Sequence, residues 1–270
     1  MACRIATTRA SRSAGVLAAL SAALFVLLPV RAQGPAPVAA PVSKTCAPGS
    51  AASAEETPLP NVAAALAQRK QLRILAMGAA PGRVTAQGGG YTALIESMLT
   101  QSLTGIDVVM INRGVSGELA ANATTRMKNE VALDDPDLVL WQVGTNDALA
   151  YVPAREFAAT VKDQIAWLRA HKVDVVLVGL QFVNQMLRDE HYVKIRETLR
   201  DVAAQEGVIV IRFYEATQIL EQAASASRDV GVEFDRNEAN YNCLAQYVAR
   251  AITLGVFAKN MPARPVPQKP

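Results

Sequence analysis

Residues 74–83 read ILAMGAAPGR. An apolar run from Ile74 to Met77 stops at Gly78 and opens into a turn that delivers Ala79 and Ala80. A short apolar run halted by glycine has the form of a buried strand before a sharp turn, and open α/β proteins place their chemistry in the turns at the carboxyl edge of the sheet. Such turns usually carry a reactive side chain; this one carries methyl groups.

The pattern repeats downstream. Runs of strand length follow at DVVMI (107–111), DLVLWQV (137–143), VDVVLVGL (173–180) and VIVIRF (208–213), with segments of helical spacing after each. Phe157, Val161, Ile165 and Leu168 fall on one helical face, and so do Tyr192, Ile195, Leu199 and Val202. Continuous apolar strands separated by amphipathic helices predict a parallel sheet covered on both faces, a three-layer α/β/α sandwich of about five strands over residues 60–257. Right-handed crossovers leave few topologies for it. No internal repeat is apparent.

The chain has 270 residues, 19% of them charged, which is enough for one large domain with a well-filled core and excludes disorder throughout. Residues 1–32 have the form of an export signal. Arg4, Arg9 and Arg12 precede the uncharged stretch SAGVLAALSAALFVLLPV, and Val30 and Ala32 fit the small-residue rule for cleavage. The alternative is an uncleaved anchor, because the stretch approaches the roughly 20 residues that span a bilayer. In either case the bulk of the chain is expected outside the cytoplasm, periplasmic or secreted.

Cleavage removes four arginines and no acid, leaving 23 basic against 24 acidic residues. A nearly neutral mature chain gives no support for a nucleic-acid partner or an anionic membrane surface, and no membrane span is expected in it. Residues 33–59, rich in Ala, Pro and Ser, read as a linker arm over the surface, and 258–270 as a flexible tail. Cys3 leaves with the signal, so Cys46 and Cys243 remain as an even pair in an oxidising compartment, and a disulfide between them is expected; two separate buried thiols are the alternative. Two thiols and two imidazoles, His171 and His191, argue against zinc, and no metal or cofactor is expected.

In this architecture the loops GAAPGRVTAQGGGY (78–91), NRGVSGE (112–118) and GTND (144–147) share one edge. Gly114 can present a backbone N–H with no side chain in the way, and Asn146 can aim an amide N–H at the same point. Two converging donors suit a developing oxyanion, although either residue alone is commonly just a turn former. The glycines at 88–90 lack a following Lys-Ser/Thr and are not a phosphate loop.

Together these loops resemble the SGNH hydrolase superfamily, the GDSL esterases and lipases, over roughly residues 60–257. The likeness is most specific at QVGTND, similar to the family's G-x-N-D block, and at NRGVSGE, similar to the block that holds its glycine. Cys46 and YNC (241–243) resemble the arm and ending of exported bacterial members. The resemblance implies a flavodoxin-like fold and ester hydrolysis by a Ser-His-Asp triad, with Gly114 and Asn146 at the oxyanion positions. It also shows where this chain departs. The nucleophile would follow the first strand as GDS; GAA puts Ala80 there. The last block reads Asp-x-x-His-x-Asn-Asp-x-Gly-Tyr; with Asn237, Glu238, Ala239 and Tyr241 aligned to its second half, Asp235 stands at the histidine and Val232 at the aspartate.

A methyl group cannot attack a carbonyl, so hydrolysis by the family mechanism is expected to be absent. Other candidate groups are Ser116, which reads as a cap for a helix near Glu118; His171, on the wrong edge; His191, near the rim; and Asp235 with Glu238, where the intervening Arg236 favours a solvated charged turn. The reading is a non-catalytic member that binds an acylated or acetylated glycan or lipid, or a protein partner. The alternative is an active acyl hydrolase with a nucleophile or base from another position.

Overall fold

The computed structural model describes residues 40–43, 46, 57–78, 90–215, 217–218 and 236–258, the first turn of the last helix (236–240) by its backbone alone. The expected signal (1–32), Ala80, the glycines at 88 and 89, Val232, Asp235 and the tail beyond 258 lie outside the described residues.

Apolar runs become strands wherever both faces can be covered. β1 (Gln71–Gly78), β3 (Leu138–Gln142) and β4 (Asp174–Val178) form the middle of the sheet, and β3 and β4 are buried along their whole length. β2 (Asp107–Asn112) and β5 (Ile209–Ile211) are its edges. All pairings are parallel, in the order β2-β1-β3-β4-β5, so the expected five-stranded parallel sheet is present. The run VIVIRF gives only a three-residue strand, because pairing with β4 ends at Ile211 and Phe213 already begins a helical turn.

Side chains alternate along each strand between two cores. Ile74, Leu140 and Val176 face a layer made by α1 (Pro60–Gln68), α2 (Gly90–Ser102) and, as the last helix, α7 (Arg236–Phe257). Leu75, Trp141 and Leu177 face α3 (Ala120–Asp134), α5 (Ala154–Ala170) and α6 (Glu190–Glu206). A short α4 (Thr145–Leu149) caps the carboxyl edge after β3. The stripes read from spacing are the buried ones: Phe157, Val161, Ile165 and Leu168 on α5, and Tyr192, Ile195, Leu199 and Val202 on α6. The three-layer α/β/α architecture is therefore the one expected.

Cys46 and Cys243 are joined by a disulfide across a sequence separation of 197. The described part of the arm is fastened to α7: the Ala40 N–H donates to Thr253 Oγ1 at 3.1 Å, the Ser43 N–H to Gln246 Oε1 at 2.7 Å, and the Tyr247 hydroxyl to the Cys46 carbonyl. Ala40 and Cys46 are buried there.

Candidate functional site

The strand order places the reversal of winding between β1 and β3, and in open parallel sheets the crevice beyond that switch point is where ligands bind. β1 ends there on Gly78, paired with Gln142. At φ +88° and with a Cβ that would fall 1.9 Å from the Gln142 carbonyl oxygen, only glycine can end this strand and release the chain into the first loop. On the far side Gly144, at φ +102°, turns the chain from β3 into α4, where a Cβ would meet Leu180 Cδ1 at 2.6 Å.

The second loop is stitched to the end of β1. The Arg113 N–H donates to the Ala76 carbonyl at 2.9 Å and the Val115 N–H to the Gly78 carbonyl at 2.8 Å. Gly114 thus sits beside Gly78 at the carboxyl end of β1. Its own N–H donates to Asn112 Oδ1 at 3.0 Å, a local turn whose two-residue spacing is visible in the sequence. Asn146 Nδ2 donates to the Glu118 carbonyl at 3.0 Å, which engages one of the two N–H bonds of its amide. Both expected oxyanion residues lie at the carboxyl edge, and both make hydrogen bonds to the second loop in this state.

Asp147 completes the clasp. Its Oδ1 accepts the Ala120 N–H at 2.9 Å, satisfying the first turn of α3. Ser116 was expected to cap this helix. Gly117, at φ +78°, delays the helix start to Ala120, Leu119 is the N-cap residue with no side-chain cap bond, and Asp147 reaches the first turn from the next loop. Glu118 instead pairs with Arg126, at 2.9 and 2.8 Å.

Asp147 is 2% exposed and its Oδ2 has no hydrogen-bond partner. Burial pushes its carboxyl above the usual range, opposed by the N–H groups of Ala120, Asp147 itself and Gly144. A raised folded-state value means that the native chain holds this proton more tightly than the unfolded chain. Its contribution to stability is full below the usual carboxylate value and falls as pH rises through the raised one. Asp147→Asn, which keeps an acceptor for Ala120, is expected to remove this fall while changing neutral-pH stability by no more than about 1 kcal/mol. Urea unfolding across the acid range checks this; the slope of the same sign from buried Asp174 remains.

Around the crevice, Tyr241 stacks on Tyr91 at 6.2 Å, which brings the first turns of α7 beside the start of α2. Tyr91 is buried, and burial followed by the neighbouring Tyr241 pushes its hydroxyl above its ordinary value. Gln142, at the end of β3, keeps both side-chain polar atoms buried without a hydrogen-bond partner, at a cost on the order of 1–3 kcal/mol. Glu238, read as part of a charged turn, lies in the first turn of α7.

His171 follows α5 at the amino edge of the sheet, exposed and stacked on Trp167 at 3.9 Å, far from any strand end that could use it. His191 lies at the start of α6 on the carboxyl edge. Its ring stacks on Tyr151 at 5.1 Å, the Tyr151 hydroxyl donates to Asp189 Oδ2 at 2.7 Å, and the imidazole Nε2 is buried with no hydrogen-bond partner. The Tyr151–Asp189 contact was not legible beforehand, since it joins loops 38 residues apart; Asp189 as the N-cap of α6 was, from its place before the helical stripe. No group of three or more His, Cys, Asp or Glu among the described residues could hold a metal ion.

A family model described as the Non-GDSL lipase-like family matches residues 45–258. An arylesterase from Vibrio mimicus is 30% identical over 98 residues, covering 34% of this chain and 49% of the arylesterase. Esterase TesA from Pseudomonas aeruginosa is 27% identical over 139 residues, 51% of this chain and 66% of that protein. The chain thus spans about half the length of the first relative and just under two thirds of the second. An acetylxylan esterase from Geobacillus stearothermophilus superposes with a TM-score of 0.54 at 17% identity, over 67% of this chain and 94% of the other, a likeness of fold alone.

Proposed function

Because this chain belongs to the Non-GDSL lipase-like family, within the SGNH/GDSL hydrolase superfamily, we propose that it is an exported, non-catalytic relative of the ester hydrolases whose switch-point crevice binds an acylated or acetylated envelope glycan or lipid. One observation carries the reading: two residues beyond Gly78, where the superfamily's nucleophile would stand, is Ala80. Loss of the nucleophile from a Ser-His-Asp hydrolase lowers turnover about a millionfold, roughly 8 kcal/mol of barrier. The base and its orienting acid are missing as well, with Asp235 and Val232 in their places.

What remains is recognition. Gly114 and Asn146 lie beside the crevice; the Gly114 N–H is engaged by Asn112 Oδ1, and the Asn146 amide carries a second N–H, beyond the one given to Glu118, for a ligand carbonyl. Export is supported by the form of residues 1–32 and by the Cys46–Cys243 disulfide, which persists in an oxidising compartment.

The second reading, an active acyl hydrolase with an unexpected base, draws on His191, whose imidazole stands on the carboxyl edge near the Tyr151–Asp189 hydrogen bond. Equilibrium dialysis against an O-acetylated oligosaccharide and a short-chain acyl lipid tests the first. It expects saturable binding of one of them, the ester recovered intact, and about tenfold weaker binding for Asn146→Ala. Absence of binding to both, or release of the acyl group, would contradict it.

A further inference from the structure

We propose that Arg196, Arg200 and Arg212 form a binding site for a phosphate group on the flank of the sheet beside β5, two strands away from the crevice. Arg196 and Arg200 are one turn apart on α6 and share a face, while Arg212 follows the last residue of β5. All three are half-buried. All three, with Tyr214 and Glu215, line a narrow hollow of about 10 Å³ on this flank that opens to solvent. Beside it a cavity of about 250 Å³ is lined by Arg200, Asp201, Val210 and Arg212.

Among the described residues, direct ion pairs to these guanidiniums are few, although Glu197 and Asp201 lie near Arg200. Among the described residues, one carboxylate pairs with any of the three, Glu215 with Arg200. Arg196 lies over the ring of Tyr214, its guanidinium carbon 4.1 Å from the centroid, and its buried Nε has no hydrogen-bond partner. Arg212 makes no hydrogen bond or ion pair among the described residues. Glu197 and Asp201 are exposed on α6 and pair with none of the three. Burial, and next the charges of Arg196 and Arg212, lower the Arg200 pKa from its ordinary value, opposed by the nearby Glu197 carboxylate.

Half-buried guanidiniums without a paired carboxylate, as Arg196 and Arg212 are among the described residues, are costly to hold side by side. Guanidinium groups bind phosphate through paired N–H donors, and the Tyr214 ring fixes the plane of one of them. Among the described residues Arg196 and Arg212 are left without a paired carboxylate, and a phosphate offers several acceptor oxygens that two guanidinium forks can share.

The test uses the full chain and Arg212→Gln, a substitution that removes no hydrogen bond found among the described residues; Arg155→Gln, at an exposed position on α5, controls for net charge. One arm measures binding of inorganic phosphate and the unfolding midpoint in phosphate against chloride at equal ionic strength. The other measures sedimentation with phosphatidylglycerol vesicles against phosphatidylcholine vesicles. In at least one arm the native chain should bind saturably, at least tenfold more weakly after Arg212→Gln and unchanged after Arg155→Gln. Binding of inorganic phosphate identifies a free phosphate as sufficient; binding confined to the anionic vesicles identifies a lipid headgroup. No saturable binding in either arm, or equal binding by the native chain and Arg212→Gln, overturns the proposal.

Discussion

The combined variant Ala80→Ser, Val232→Asp, Asp235→His is expected to hydrolyse a short-chain acyl ester at least about a hundredfold faster than the native chain, toward a ceiling of about a millionfold set by what a nucleophile contributes in such enzymes. The serine would follow Gly78, the residue that ends β1 at the switch point, beside the second loop that carries Gly114. The histidine would stand one residue before α7, whose Tyr241 already packs on Tyr91 at the same side of the sheet. Ala80→Ser alone should stay silent, because a serine without a base to take its proton is a weak nucleophile, and triad members act as a unit. The combined variant is scored by initial rates on a chromogenic acetate ester, beside a circular dichroism check of folding. A folded but silent product would show that the histidine and aspartate positions are not 235 and 232.

Removing the disulfide should have the largest effect on stability. Cys46→Ser with Cys243→Ser opens a loop closed across 197 residues of sequence, for which chain entropy alone gives up to about 5 kcal/mol. The arm adds to this. Once released, its hydrogen bonds from Ala40 to Thr253, from Ser43 to Gln246 and from Tyr247 to Cys46 no longer form on a tethered segment. A loss of about 3–5 kcal/mol in denaturant unfolding is expected, reproduced by a reductant on the native chain. A loss below about 1 kcal/mol would mean that neither the cross-link nor the docking of the arm does much to stabilise the domain.

The central strands were legible because burial on both faces leaves a continuous apolar run: LRILAM, DLVLWQV and VDVVLVGL read as strands and contain most of β1 and all of β3 and β4. The helix stripes at Phe157 and Tyr192 were legible for the same reason, one buried face each. The end of β5 was not, since Ile211 and Arg212 are both compatible with a strand and only the end of pairing with β4 separates them. At the site, Gly114 and Asn146 were placed on the right edge by counting loops. The Asn112–Gly114 bond is local and readable, but the bond from Asn146 to Glu118 and the reach of Asp147 to Ala120 depend on how the second and third loops pack together. The arginine cluster was invisible in the sequence, because Arg196 and Arg212 meet only once α6 has folded back against β5. Residues that act through their own neighbours along the chain could be read; residues that act across the fold could not.

The central claim is that this chain retains the superfamily's crevice without its bond-making group. Steady-state turnover of a chromogenic acetate ester by the purified native chain, beside Ser116→Ala and His191→Ala, tests it most directly. The account predicts a rate at the buffer background that neither substitution changes. Turnover well above background that collapses in either variant would contradict it.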